Sequence, residues 1–149
     1  MAVAGQDEVL AGAVPSDIAA WCPGYSQASL HERRAFWVGM LSALARYESR
    51  WNPAAAGGGG RWVGLMQISP QTARTHGCTA TTAAALKDGA ANLACAVRIV
   101  AAQVGRDGAV AGKGNRGLGR DWMPLRTTAK RAEMAGWTGA QSYCREEKS

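Results

Sequence analysis

Residues 29–53, SLHERRAFWVGMLSALARYESRWNP, decide the fold. Ser29 followed three residues later by Glu32 is a capping-box pattern, in which the hydroxyl accepts from one orphan backbone N–H of a helix start and the carboxylate from another. No proline follows until Pro53, so a long helix is predicted to about Arg50, with Asn52-Pro53 ending it because the residue before a proline is pushed out of the helical region. Within that helix Phe36, Met40, Leu44, Glu48 and Trp51 recur at steps of four, four, four and three, which sets them along one side. The stripe is apolar except at Glu48. A solvated glutamate belongs among Arg33, Arg34, Arg46 and Arg50, not in line with Met40 and Leu44. Held on an apolar face, its carboxyl loses hydration, keeps its proton near neutral pH and is able to donate it to a leaving oxygen, the requirement for breaking a glycosidic bond. An ion pair with Arg46 or Arg50 at the edge of the core is the competing reading, and spacing alone does not choose between them.

Outward from this helix, Pro15, Ser16 and Asp17 open a short helical stretch to about Trp21, read as a lid on the core. Beyond it lie Ala54 to Gly60, with four consecutive glycines read as a flexible loop, and an apolar segment, Arg61 to Ile68, that is at most a strand or an extended turn. Ser69-Pro70 begins another helix with a cap and an N1 proline, and Gly77 ends it. A further helix is predicted from about Asp88 to Val104, with Leu93, Val97, Val100, Ala101 and Val104 buried and Gly105 as its break. Residues 105–120 are Gly-rich and basic and read as an irregular connection. A last helix, about Thr127 to Gln141, is expected to bring Met134 and Trp137 to the core. No internal repeat is present.

The 149 residues suit one core and are short for two, so a single unit without a separate binding module is expected. With 47% hydrophobic and 19% charged residues and few β-branched runs, the class is all-α. No stretch is long and apolar enough for a membrane span. Met1 to Ala20 carries Asp7, Glu8, Pro15 and Asp17 without a basic start, so it does not read as a secretory signal. The net charge of +6 is uneven: residues 1–60 hold 4 Lys/Arg and 5 Asp/Glu, residues 61–149 hold 13 and 6. Such a field draws polyanions. Neither helix-turn-helix, zinc-finger spacing nor a basic run interleaved with aromatics is present, so an anionic cell envelope is favoured over nucleic acid. The four cysteines form no CxxC pair and only His31 and His76 join them, so neither a metal nor any other cofactor is expected. Of three pairings into two disulfides, Cys78-Cys95, closing a short loop, and Cys22-Cys144, tying the two ends, are preferred, at roughly 3 and 4.7 kcal/mol in the chain-entropy model. Buried free thiols are the alternative. Gly112 to Gly117 fits GxGxxG but lacks a strand before it and a helix after it, and Gly57 to Gly60 lacks the end of a phosphate loop.

Ala45 to Pro53, then Gly64-Leu65-Met66-Gln67-Ile68-Ser69, then Ala91-Asn92-Leu93 are similar, in order, to the Glu-Ser, Gly-Leu-Met-Gln-Ile and Asn-containing motifs of the lytic transglycosylase SLT family of lysozyme-like proteins. The resemblance runs from about Leu41 to Val100. The flanks, Trp21 to Tyr25 and the Cys144 end, resemble the small phage endolysins of that family. It implies a lysozyme-like fold with a groove between the Glu48 helix and the Met66-Gln67 segment. It also implies Glu48 as a lone acid/base acting between N-acetylmuramic acid and N-acetylglucosamine, with a 1,6-anhydromuramyl product. Ser49 is implied to position substrate or Glu48, unless its hydroxyl bonds its own helix backbone. Met66 and Gln67 match groove-lining positions, Met66 through main chain and thioether and Gln67 through its amide, while Leu65 and Ile68 read as core. Asn92 is implied to hold a loop or a sugar hydroxyl, with a helix-start role as the alternative. Trp62 and Trp122 are candidates to stack on sugars, or ordinary packing.

One motif departs from the family. The Ala-Tyr-Asn expected near the end of the domain is replaced by Gly117 to Pro124, where Trp122 is a steric substitute without the hydroxyl and Tyr47 or Tyr143 approaches from elsewhere. Hydrolysis by a muramidase is the rival chemistry and needs a second carboxylate about 6.5–9.5 Å away, for which Asp88 and Asp121 are the candidates. A catalytically silent wall-binding protein is the non-enzymatic alternative. The resemblance further implies a monomeric phage enzyme made in the host cytoplasm and released, holin-dependent, to the glycan strands of the periplasm.

Overall fold

A computed structural model describes residues 6–146, the first two by their backbone alone. Seven α-helices and one small hairpin are found among these residues: α1 (Gln6–Gly12), α2 (Ile18–Trp21), α3 (Leu30–Ser49), β1 (Ala56–Gly57), β2 (Trp62–Val63), α4 (Pro70–Thr75), α5 (Ala83–Leu86), α6 (Gly89–Asp107) and α7 (Thr128–Gly139). Helix α3 lies against α1 and α7, α1 also against α6, and α2 against α7.

The capping box forms as the residues dictate. Ser29 Oγ accepts from Glu32 N at 3.2 Å and Glu32 Oε1 accepts from Ser29 N at 3.1 Å. Phe36, Met40 and Leu44 are wholly buried, so the apolar stripe is the core face of α3. Trp51 leaves that stripe. The helix ends at Ser49, and Arg50 and Trp51 both take left-handed φ, 52 and 59°. Each such non-glycine residue stores about 1–3 kcal/mol of strain. The reversal swings Trp51 out to 55% exposure, with its indole N–H donating to Ser42 O at 2.9 Å.

Ser69 caps α4 by accepting from Thr72 N at 3.1 Å. Gly105 does not break α6, which runs on to a left-handed Gly108; one exposed helical glycine costs only about 1 kcal/mol. The extra turn carries Asp107 to Arg120, at 2.6 Å, and to Gly117 N, at 2.7 Å. The connection after it is tied further by Asp17, whose carboxylate accepts from Val110 N and Ala111 N. On α7, Met134 and Thr138 are buried but Trp137 is 45% exposed, so it is not a core residue.

Helix α1, without a signal in the hydrophobic pattern, is anchored by Tyr25. The buried Tyr25 hydroxyl donates to Ala13 O at 2.7 Å and accepts from Trp37 Nε1 at 3.1 Å, and Phe36 and Trp37 meet its ring edge-on. Both preferred disulfides form, Cys22–Cys144 and Cys78–Cys95, with Cα separations of 4.6 and 5.2 Å. Among the described residues no helix is long and apolar enough to cross a membrane.

Candidate active site

Glu48 occupies the last turn of α3, one turn beyond the buried Leu44, and is half-buried. Neither Arg46 nor Arg50 pairs with it: Arg46 instead meets Glu133 at 3.2 Å, and no hydrogen bond reaches the Glu48 carboxyl among the described residues. With lost hydration uncompensated, burial pushes this carboxyl up from 4.5 to about 7, against the opposing pull of the Lys130 ammonium on α7. At neutral pH roughly half the population is therefore protonated. Lys130 lies over the neighbouring ring of Tyr47, 5.6 Å from its centroid. Nothing in the helical periodicity around residue 130 signals this approach; only the packing of α7 on α3 creates it.

Six residues separate the end of α3 from a hairpin whose pairs are Ala56 with Val63 and Gly57 with Trp62. The run of glycines read as a flexible loop is its turn. Gly58, Gly59 and Gly60 all have left-handed φ, which side chains disfavour, and a Cβ on Gly58 would strike the Trp62 ring. That ring is 43% exposed, with the Arg61 guanidinium 5.3 Å from its centroid.

The segment after the hairpin is held from inside. Asn92 is wholly buried; its amide donates to Val63 O at 2.9 Å and Leu86 O at 3.0 Å, and its oxygen accepts from Met66 N at 2.9 Å. Asp88, not Asn92, caps α6, accepting from Ala91 N. Met66 is wholly buried, and its carbonyl accepts from the indole of Trp122 at 2.8 Å. Gln67, at φ 47°, donates its amide to Ala55 O and Gly64 O at 3.2 and 3.0 Å, which pins the segment to the strand leaving α3.

Several expected sugar contacts thus turn inward, to hydrogen bonds with the main chain. Met66 and Asn92 are inaccessible, and Trp122, at 2% exposure, packs in the core and does not stack on a sugar. Ser49 donates to Ala45 O at 3.2 Å, the backbone alternative. Trp62 remains the exposed aromatic of the wall. It shares a narrow crevice of about 30 Å³ with Gln67, Trp122 and Asp121, and Asp121 accepts from Gln103 at 2.9 Å.

The model of the transglycosylase SLT domain matches residues 27–134, a span that opens just before the Ser29 cap and contains Glu48, the hairpin, Met66, Gln67, Asn92 and Trp122. The chain belongs to the transglycosylase SLT domain family. Its SLT fold is similar to that of Bd0314 DslA, wild-type form 2, at TM-score 0.82 and 30% identity, over 92% of this chain and 83% of that one. A glutamate-to-glutamine mutant of DslA is similar at TM-score 0.85 and 30% identity, over 94% and 85%. No curated protein matches the chain. The SLT fold is accordingly lysozyme-like, mostly helical with a two-strand hairpin, and membership in this family indicates peptidoglycan as the substrate and lytic-transglycosylase-type degradation.

Proposed function

We propose that this SLT protein cleaves the β-1,4 bond between N-acetylmuramic acid and N-acetylglucosamine, with Glu48 as its single acid/base. The observation that carries this reading is a half-buried carboxyl, continuous with the apolar stripe of α3, without a hydrogen-bond partner among the described residues and shifted to about 7. Protonated Glu48 gives its proton to the bridging oxygen as the bond to C1 breaks. The resulting carboxylate then takes the proton of the muramyl C6 hydroxyl as that oxygen bonds to C1. Water is not consumed, and the product ends in 1,6-anhydromuramic acid.

Hydrolysis is the second reading: Asp121 borders the crevice with Trp62 and Gln67, and in this reading its carboxylate activates water. Mass spectrometry of digested peptidoglycan separates the two. Anhydro ends that vanish with Glu48→Gln and persist with Asp121→Asn support transglycosylation; reducing ends dependent on Asp121 overturn it. If Glu48→Gln lyses walls as well as the parent, Glu48 is not the acid/base, and if both bind walls and neither releases fragments, the protein binds walls without cleaving them.

The net charge of +6 suits attraction to an anionic envelope. A phage endolysin acting as a monomer in the periplasm of a lysing host fits this chemistry. Lysis that weakens with salt more than cleavage of a soluble neutral glycan supports the electrostatic part, and equal salt sensitivity refutes it.

A further inference from the structure

A separate hollow opens against α3 and α7, with Tyr47, the chain neighbour of Glu48, in its wall. It holds about 430 Å³, within the range of small-ligand sites. Its walls include Arg46, Tyr47, Trp51, Glu133, Met134 and Trp137. We propose that this hollow is a saccharide subsite that holds the glycan strand away from the bond being cleaved, an inference that rests on the glycosidase reading of Glu48.

Three features choose a sugar over other occupants. Trp51, in the turn after α3, and Trp137, on α7, both line the hollow at 55 and 45% exposure. Indoles left half in water offer an apolar face to the C–H side of a pyranose. The Trp51 ring is there by construction: two successive left-handed residues and the bond to Ser42 O hold it out of the core. Backbone strain kept at one place points to a use for the conformation. The hollow is also not purely apolar, since the Arg46–Glu133 pair supplies charged donors and acceptors at its edge, suited to hydroxyl and acetamido groups. Finally, Tyr47 lines the hollow and precedes Glu48 in the chain, and its ring carries the Lys130 ammonium that acts on Glu48.

The test uses the Glu48→Gln protein, so that nothing is cleaved, titrated with a β-1,4-linked N-acetylglucosamine hexasaccharide and followed by tryptophan fluorescence. Saturable binding is expected, weakened roughly three- to tenfold by Trp137→Ala and also weakened by Glu133→Gln, a milder change that leaves the packing of α7 in place. Met123→Ala, at an exposed residue that does not line the hollow, leaves the affinity as it was. Absence of binding, or affinity indifferent to both Trp137→Ala and Glu133→Gln, overturns the proposal. So does a concentration-dependent dimer of the parent that Trp137→Ala abolishes, which assigns the face to a second copy. Digestion of peptidoglycan by the unmutated protein, run in parallel, separates the two readings. Retained Trp137-dependent binding without cleavage sinks the glycosidase reading alone, and cleavage with Trp137-independent binding sinks the subsite alone.

Discussion

Replacing Asn92 by Ala distinguishes a clamp from a sugar ligand. The side chain is wholly buried and serves three main-chain groups, Met66 N, Val63 O and Leu86 O, at 2.9–3.0 Å. Truncation leaves the Met66 N–H and the Leu86 carbonyl without partners in a site closed to solvent, while the Val63 carbonyl keeps only its bond from Ile68 N at 3.0 Å. Each orphaned group costs about 1–3 kcal/mol, and water entering the vacated space recovers part of that. The expected destabilisation is therefore about 3 kcal/mol, a large share of the roughly 5–15 kcal/mol available to a domain. At about 2–4 °C per kcal/mol for a chain of this size, the melting temperature falls by about 6–12 °C. Thermal and urea unfolding of the oxidised proteins measure it, with activity assayed well below the transition. Asn92→Asp, which keeps an acceptor for Met66 N but sets charge against two carbonyls, is expected to fall at least as far. A loss under about 1 kcal/mol accompanied by a raised KM refutes the clamp and returns Asn92 to the sugar.

The raised Glu48 carboxyl carries a stability signature of opposite sign to most acids. Because the folded state holds its proton up to about 7 while the unfolded chain releases it near 4.5, stability is lost as pH rises through that window. Glu48→Gln is expected to stabilise the protein at pH 8 by about 1–2 kcal/mol, after allowing for solvent screening, and to change little at pH 4; equal effects at both pH values refute the desolvated carboxyl. Lys130→Met removes the cation that opposes the shift, so the alkaline limb of the pH–rate profile moves upward, whereas Lys130→Arg restores it; an unmoved limb shows that the ammonium does not act on Glu48. Opening Cys22–Cys144 by a double Cys→Ser change is expected to destabilise by about 5 kcal/mol, more than the ~3 kcal/mol for Cys78–Cys95, because its loop spans 122 residues against 17. The order is checked by denaturant midpoints, and a larger loss from the short loop contradicts the loop-entropy account.

Local chemistry made the long helix, its cap and the buried stripe legible from the residues, since a hydroxyl three places before a carboxylate and an apolar period of four act within a single element. The place of Glu48 at the end of that stripe was legible for the same reason, whereas four cysteines left three pairings and free thiols open, and the fold decided for the preferred pair of disulfides. What lay beyond reach was every outcome decided between elements. Asn92 carries the right motif chemistry and Trp122 stands where a motif is missing, yet both spend their polar groups on main-chain atoms of Val63 and Met66, because the short Gly64–Ile68 segment has too few backbone partners of its own. Trp51 and Trp137 have the periodicity of core residues and stand in water, because helix ends and the docking of α7 on α3, not composition, decide which side of a tryptophan is covered. Lys130 lies 82 positions from Glu48 in the chain, and the field of one on the other exists only once folding has removed the water between them.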